Sequence, residues 1–69
     1  MTKNKNLTSG TLFNASHELL ELPYGVVIED AAGYRYEVVG TDDYREYLNF
    51  MTGEVDEGHN LEFPVEFIG

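Results

Sequence analysis

The chain has no cysteine and no tryptophan, only two prolines, and only four basic residues among 69. Without cysteine it can form neither a disulfide nor a Cys-based zinc or iron-sulfur site, and nothing in the sequence calls for an oxidising compartment. With so few cations, the counterion release that drives proteins onto nucleic acid phosphates is missing, and anionic membranes are disfavoured for the same reason. Lys3 and Lys5 lie in the first ten residues, so that from Asn6 onward only Arg35 and Arg45 stand against all 13 carboxylates; the formal net charge is -9. No apolar run approaches the roughly 20 residues that cross a bilayer. The opening residues, Met1 to Gly10, lack the apolar segment of a secretory signal, so the chain reads as soluble and cytoplasmic. Two matches to the N-glycosylation pattern, Asn6-Leu7-Thr8 and Asn14-Ala15-Ser16, then read as chance.

Catalytic groups are equally scarce. There is no Gly-x-Ser-x-Gly, and His17 and His59 have no recognisable serine partner, which removes the usual routes to an activated nucleophile. Paired carboxylates suit glycoside hydrolysis, but a chain of this size buries only about 60% of its unfolded surface and leaves little room for a substrate cleft of about 300 Å³. The sequence therefore reads as a non-enzyme without a cofactor. Its charge points to a partner protein with a basic surface, or to solubility by self-repulsion.

What the sequence does hold is strand chemistry. Leu22 to Val39 comprises two runs rich in β-branched and aromatic residues joined by Asp30-Ala31-Ala32-Gly33, a hairpin signal. Val26 and Ile28 share one side of the first run; Tyr34, Tyr36 and Val38 share one side of the second, opposite Arg35 and Glu37, so each run has a face suited to burial. Leu61 to Ile68 alternates as well, with Leu61, Phe63, Val65 and Phe67 on one face. Pro64 cannot donate to a ladder, which places this strand at an edge or turns that residue outward. Between Thr11 and Leu22, the spacing of Leu12, Phe13, Leu19 and Leu20 predicts one or two helical turns, capped by Asn14 or Ser16 and stopped by Pro23. Met1 to Gly10 reads as a disordered leader to a single domain over 11–69. Gly40 to Asp43 is a turn. Tyr44 to Val55 divides pattern from propensity: Tyr44, Tyr47, Leu48 and Met51 fit a helical stripe, whereas Tyr, Asn, Phe and Thr suit a half-buried strand.

Leu22-Pro23-x-Gly25-Val26-Val27-x-x-Asp30-x-x-Gly33-x-x-Tyr36, with the closing Pro64-Val65-Glu66-Phe67-Ile68, resembles small SH3-like β-barrel proteins of actinobacterial phages and their hosts. The resemblance spans Leu22 to Ile68 and departs from the family at Tyr36, where Trp is commoner, and in the acidity of Glu54 to Glu57. It implies a mainly β fold, a small SH3-like barrel or bent antiparallel meander of four to five strands, in which Tyr44 to Met51 is a strand. It implies phage origin, and no catalytic residue comes with it.

The candidate partner-binding residues follow from charge and tyrosine content. Tyr34, Tyr36 and Tyr44, rimmed by Asp42, Asp43, Glu46, Glu54, Asp56 and Glu57, are suited to a protein interface; the competing reading has the tyrosines straddling the core edge with wet hydroxyls. The same carboxylates could instead mimic DNA phosphates against a nucleic-acid-binding protein. Leu61 to Ile68, as an edge strand, could join a neighbouring sheet in a virion subunit or homo-oligomer. Glu54, Asp56, Glu57 and His59 lie close in sequence without matching a calcium-loop pattern, which favours a solvated acidic loop over a metal site.

Overall fold

The computed structural model describes Thr8 to Thr41 and Tyr44 to Gly69. Among these residues six strands form one antiparallel sheet: β1 (Leu12–Phe13), β2 (Val27–Glu29), β3 (Arg35–Thr41), β4 (Tyr44–Asn49), β5 (Val55–Asp56) and β6 (Val65–Phe67), in the order β1-β6-β2-β3-β4-β5. Two 3-10 helices, Ser16–Glu21 and Gly58–Asn60, complete the described fold. The strand count exceeds the expected four to five because β1 and β5, two residues each, pair along the two sides of the sheet. Most of the expected leader, together with Asp42 and Asp43, lies outside the described residues. Its last part is tied down: the Ser9 hydroxyl donates to the Ile68 carbonyl at 2.7 Å and the Gly10 N–H to the Phe67 carbonyl at 2.8 Å.

The hairpin forms where the turn residues place it. Val27 pairs with Glu37, Ile28 with Tyr36 and Glu29 with Arg35, so that Ile28, Tyr36 and Val38 all reach the core while Arg35 stays outside, bridged to Glu29 at 2.9 Å. Tyr44 onward is a strand. The β3–β4 register sets Asn49 opposite Tyr36 and Tyr47 opposite Val38, which draws Tyr47 and Asn49 inside and leaves Tyr44 and Phe50 exposed. Position on the neighbouring strand, rather than the polarity of Asn49, decides that face. Its carboxamide is satisfied there, Oδ1 accepting the Met51 and Thr52 N–H groups at 2.8 and 3.2 Å and so closing the β4–β5 turn. Between β3 and β4, Gly40 has φ +126 and a Cβ there would run into the Tyr44 carbonyl, so that only glycine lets the two strands meet.

Two expectations need correction. Leu61 to Ile68 is not one strand, and β6 is not at an edge: it runs only over Val65–Phe67, between β1 and β2. The ladder begins after Pro64, which has no N–H to give; before it, the Glu62 backbone is spent on the hairpin turn, accepting the Ala31 N–H at 2.8 Å and donating to Asp30 Oδ2 at 3.2 Å. The alternation nonetheless holds, with Leu61, Val65 and Phe67 buried and Pro64 exposed. At the N-terminal side, the expected helical turns are a 3-10 helix, and neither Asn14 nor Ser16 caps it with a side chain. The Glu18 carboxylate reaches back instead and accepts the Asn14 N–H at 2.8 Å. Leu22 then turns extended ahead of Pro23, as the residue before a proline should.

Leu19, Leu22, Ile28, Tyr36, Val38, Tyr47, Leu61, Val65 and Phe67 make the core. At its margin lies Asp30, 4% exposed. Oδ1 accepts the N–H groups of Ala32 (3.1 Å) and Tyr34 (3.0 Å), and Oδ2 accepts the Tyr36 hydroxyl and the Glu62 N–H, both at 3.2 Å. Replacing it by alanine leaves the Tyr36 hydroxyl unpartnered in a buried place and takes the acceptor from three part-buried N–H groups, at a cost on the order of 3 kcal/mol. Asp30→Ala should therefore lose most of its denaturant resistance, and Asp30→Asn, which keeps one acceptor oxygen, less; an alanine variant as stable as the parent would show that the carboxylate ties nothing together.

Burial and the Asp30 carboxylate together push the Tyr36 hydroxyl up to about 12. Because the folded value lies above the ordinary 10.0, the neutral phenol contributes its stability in full below pH about 10 and loses it as pH rises toward about 12. At about 1.4 kcal/mol per pH unit that contribution is at most about 3 kcal/mol. The alkaline fall in stability over this window should be shallower in Tyr36→Phe, as followed by urea unfolding at a series of pH values.

Candidate functional site

The two 3-10 helices pack against each other beside β4. Gly58 marks the approach, since a Cβ there would lie 3.3 Å from the Tyr47 ring and 3.5 Å from Ser16 Cβ. The meeting leaves an open groove of about 300 Å³, whose lining includes Ser16, His17 and Leu20 from the first helix, Tyr44 and Arg45 from β4, and Glu57 and His59 from around the second helix. A second groove, of about 370 Å³, runs along the other flank of the first helix beside β1, and His17 lines both.

Of the sequence candidates, Tyr44 and Glu57 are brought together: the Tyr44 hydroxyl donates to Glu57 Oε2 at 2.7 Å. His59 Nδ1 stands 3.6 Å from the other oxygen of the same carboxylate. That hydrogen bond and the carboxylate charge raise the Tyr44 pKa above its ordinary value, since ionising the phenol would break the one and set two anions side by side. Tyr44 is also half exposed, so that its ring is open to a partner.

The other candidates scatter. Tyr36 is 3% exposed and is a core residue rather than a contact surface, because the β2–β3 register turns it inward onto Asp30. Tyr34 is exposed but stands at the hairpin turn, at the opposite end of β3 from Tyr44 and roughly 20 Å away along the strand. Glu46 lies opposite Val39 on β3, whereas Asp56 lies opposite Tyr47, so that they face opposite sides of the sheet. Glu54 is exposed in the turn just before β5. Among the described residues no three His, Asp or Glu side chains converge in a way that could hold a metal ion, and Glu54, Asp56, Glu57 and His59 are no exception.

Sequence reasoning did not single out His17, Leu20 or Arg45. Arg45 is anchored within the molecule, donating from Nε to the Leu22 carbonyl at 3.0 Å and lying 4.8 Å over the Tyr24 ring, a cation–π contact. The groove joins three separate stretches of chain, and the only local signal was the crowding of Glu57, Gly58 and His59 in one loop. Ser16 shares the groove with both histidines, but among the described residues no hydrogen bond links it to either.

The Tyr44 assignment makes a spectroscopic prediction. In Glu57→Gln the Tyr44 phenol should titrate closer to 10.0 than in the parent, read from its ring carbon shifts by NMR, and an unchanged titration would show that Glu57 is not what perturbs it.

Among the described residues no helix is long and apolar enough to cross a membrane. No protein-family model, no curated protein and no solved structure matches the chain.

Proposed function

We propose that this chain is a small acidic protein-interaction module, of phage origin and acting in the host cytoplasm, that binds a protein through the Tyr44–Glu57 groove. The observation that carries this reading is the pairing of a half-exposed tyrosine ring with a carboxylate in an open groove, on a chain of net charge -9. A ring that offers apolar area at little entropic cost, beside a fixed negative charge, is suited to a partner surface with Lys or Arg at its contact. Among the described residues of the groove, Ser16 has no hydrogen bond to either histidine, and we read the groove as a binding surface. The finer fold reading is an SH3-like barrel: β2 to β5 form a meander, a 3-10 turn follows, and β6 returns beside β2, the path of a sheet curling toward closure. Aromatic grooves on such folds bind peptides, which is analogy of fold and supports the reading only to that extent.

The test is size-exclusion chromatography with light scattering on the purified chain, alone and mixed with actinobacterial lysate at low and high salt. A single partner should co-elute at low salt and be lost in the Tyr44→Ala, Glu57→Gln double variant. Capture unaffected by that variant would overturn the groove as the contact. Competition by duplex DNA for the captured partner would move the assignment to DNA mimicry, and a salt-indifferent homo-oligomer would move it to a structural subunit.

A further inference from the structure

The sheet ends at β5, which has β4 on one side and, among the described residues, no strand on the other. The chain is described without a break from Tyr44 through β5 to Gly69, and Ser9 and Gly10 are tied to Ile68 and Phe67, on the β6 side of the sheet. The turn that leads into β5 is fixed by the chain itself. The Asn49 N–H donates to the Glu54 carbonyl at 2.8 Å, the Gly53 N–H to the Asn49 carbonyl at 2.7 Å and the Glu54 N–H to Thr52 Oγ1 at 3.1 Å. In an antiparallel ladder, positions alternate between pairs that exchange hydrogen bonds and pairs whose N–H and C=O point away from each other. The first of those bonds makes Asn49 and Glu54 a bonded position, so that Val55, opposite Leu48, turns its own N–H and C=O to the open side.

Val55 is 49% exposed, and its side chain shares the outer face of the sheet with Leu48. Glu54 and Asp56, on either side of it in sequence, share the opposite face. Among the described residues neither carboxylate takes a hydrogen bond or an ion pair. The open side of β5 therefore presents an outward peptide unit and an apolar side chain, with a carboxylate before and after it.

We infer that an extended segment of a basic partner protein adds along β5 as an antiparallel strand, with an apolar residue opposite Val55 and a Lys or Arg on each side of it, opposite Glu54 and Asp56. Residues paired across two strands lie on the same face, so the two cations meet the two carboxylates while the apolar side chain packs on Val55. This deepens the interaction reading given above and rests on it: β5 leads directly into Glu57, which brings the added strand beside the Tyr44–Glu57 groove. Charge selects the occupant. A second copy pairing antiparallel at Val55 would set Glu54 of each chain against Asp56 of the other, two contacts of like charge, whereas a basic, apolar, basic segment turns both into attractions. Strand addition supplies main-chain hydrogen bonds, and the alternate side chains supply selectivity. An edge already fixed by its turn loses little freedom on binding.

The test is an NMR titration of the isotope-labelled chain with a capped Thr-Lys-Val-Lys-Thr peptide, with its Thr-Glu-Val-Glu-Thr counterpart, and with the Lys peptide N-methylated at its valine. The Lys peptide should move the Val55 amide, slow its exchange with solvent about tenfold at saturation, leave the Leu12 and Phe13 amides unmoved, and bind less tightly as salt rises. N-methylation, which removes the N–H that the Val55 carbonyl accepts, should weaken binding about fivefold, the equivalent of one hydrogen bond. The Glu54→Gln, Asp56→Asn double variant should also weaken it about fivefold, as expected of two exposed ion pairs, with the spectrum of the free protein otherwise unchanged. No binding, equal affinity for the Glu peptide, or indifference to N-methylation or to the double variant would overturn the inference. So would a Val55 shift that depends on protein concentration alone, which would place a second copy on this side. Shifts confined to the Tyr44–Glu57 groove would overturn the β5 site while leaving the interaction function standing.

Discussion

The fold turns on the carboxylate of Asp30. One oxygen fastens the amides of its own turn, and the other reaches the Tyr36 hydroxyl and the Glu62 amide. A buried carboxylate is costly unless several donors meet it, and here they come from the turn, from β3 and from the connection into β6. The charge therefore does more than shape a hairpin. It ties the chain to the hairpin turn at Glu62, just before β6 runs between β1 and β2. Tyr36, turned inward by the β2–β3 register, owes its reluctance to ionise first to burial and then to the same carboxylate.

How much of this was legible follows from the range of each interaction. The hairpin was readable because its signals are local: Asp at the first turn position, Gly33 at a positive φ, and alternating faces on either side. The inward face of Leu61 to Phe67 was readable for the same reason. The bond from Asp30 to Glu62 was not, since nothing near either residue announces the other. β4 shows the limit of pattern. Its exposed Tyr44 and Phe50 and buried Asn49 follow from pairing with β3, and a run of mixed polarity does not carry its own orientation. β1 and β5, at two residues each, are too short to have a period at all.

The surface near the grooves is shaped by how the two arginines are used. Arg35 is bridged to Glu29 and Arg45 is held by the Leu22 carbonyl and the Tyr24 ring. With both engaged by groups of the same chain, the described surface near the grooves is mainly carboxylates and half-exposed aromatic rings. Of the nine residues expected to form one contact surface, Tyr44 and Glu57 alone are joined by a bond among the described residues. Composition foretold the character of the surface but not its place, because burial of Tyr36 and the span of β3 separate residues that are near neighbours in sequence.

The position of β6 has a kinetic consequence. The strand nearest the C-terminal end of the sequence is an interior strand, paired on one side with a segment close to the start and on the other with the hairpin. Until it arrives, β1 has no partner and Leu19, Leu22 and Ile28 lack part of their cover. Closing that long span costs chain entropy before any contact repays it. Folding of this sheet should accordingly be a single late event, with no half-built version able to stand by itself.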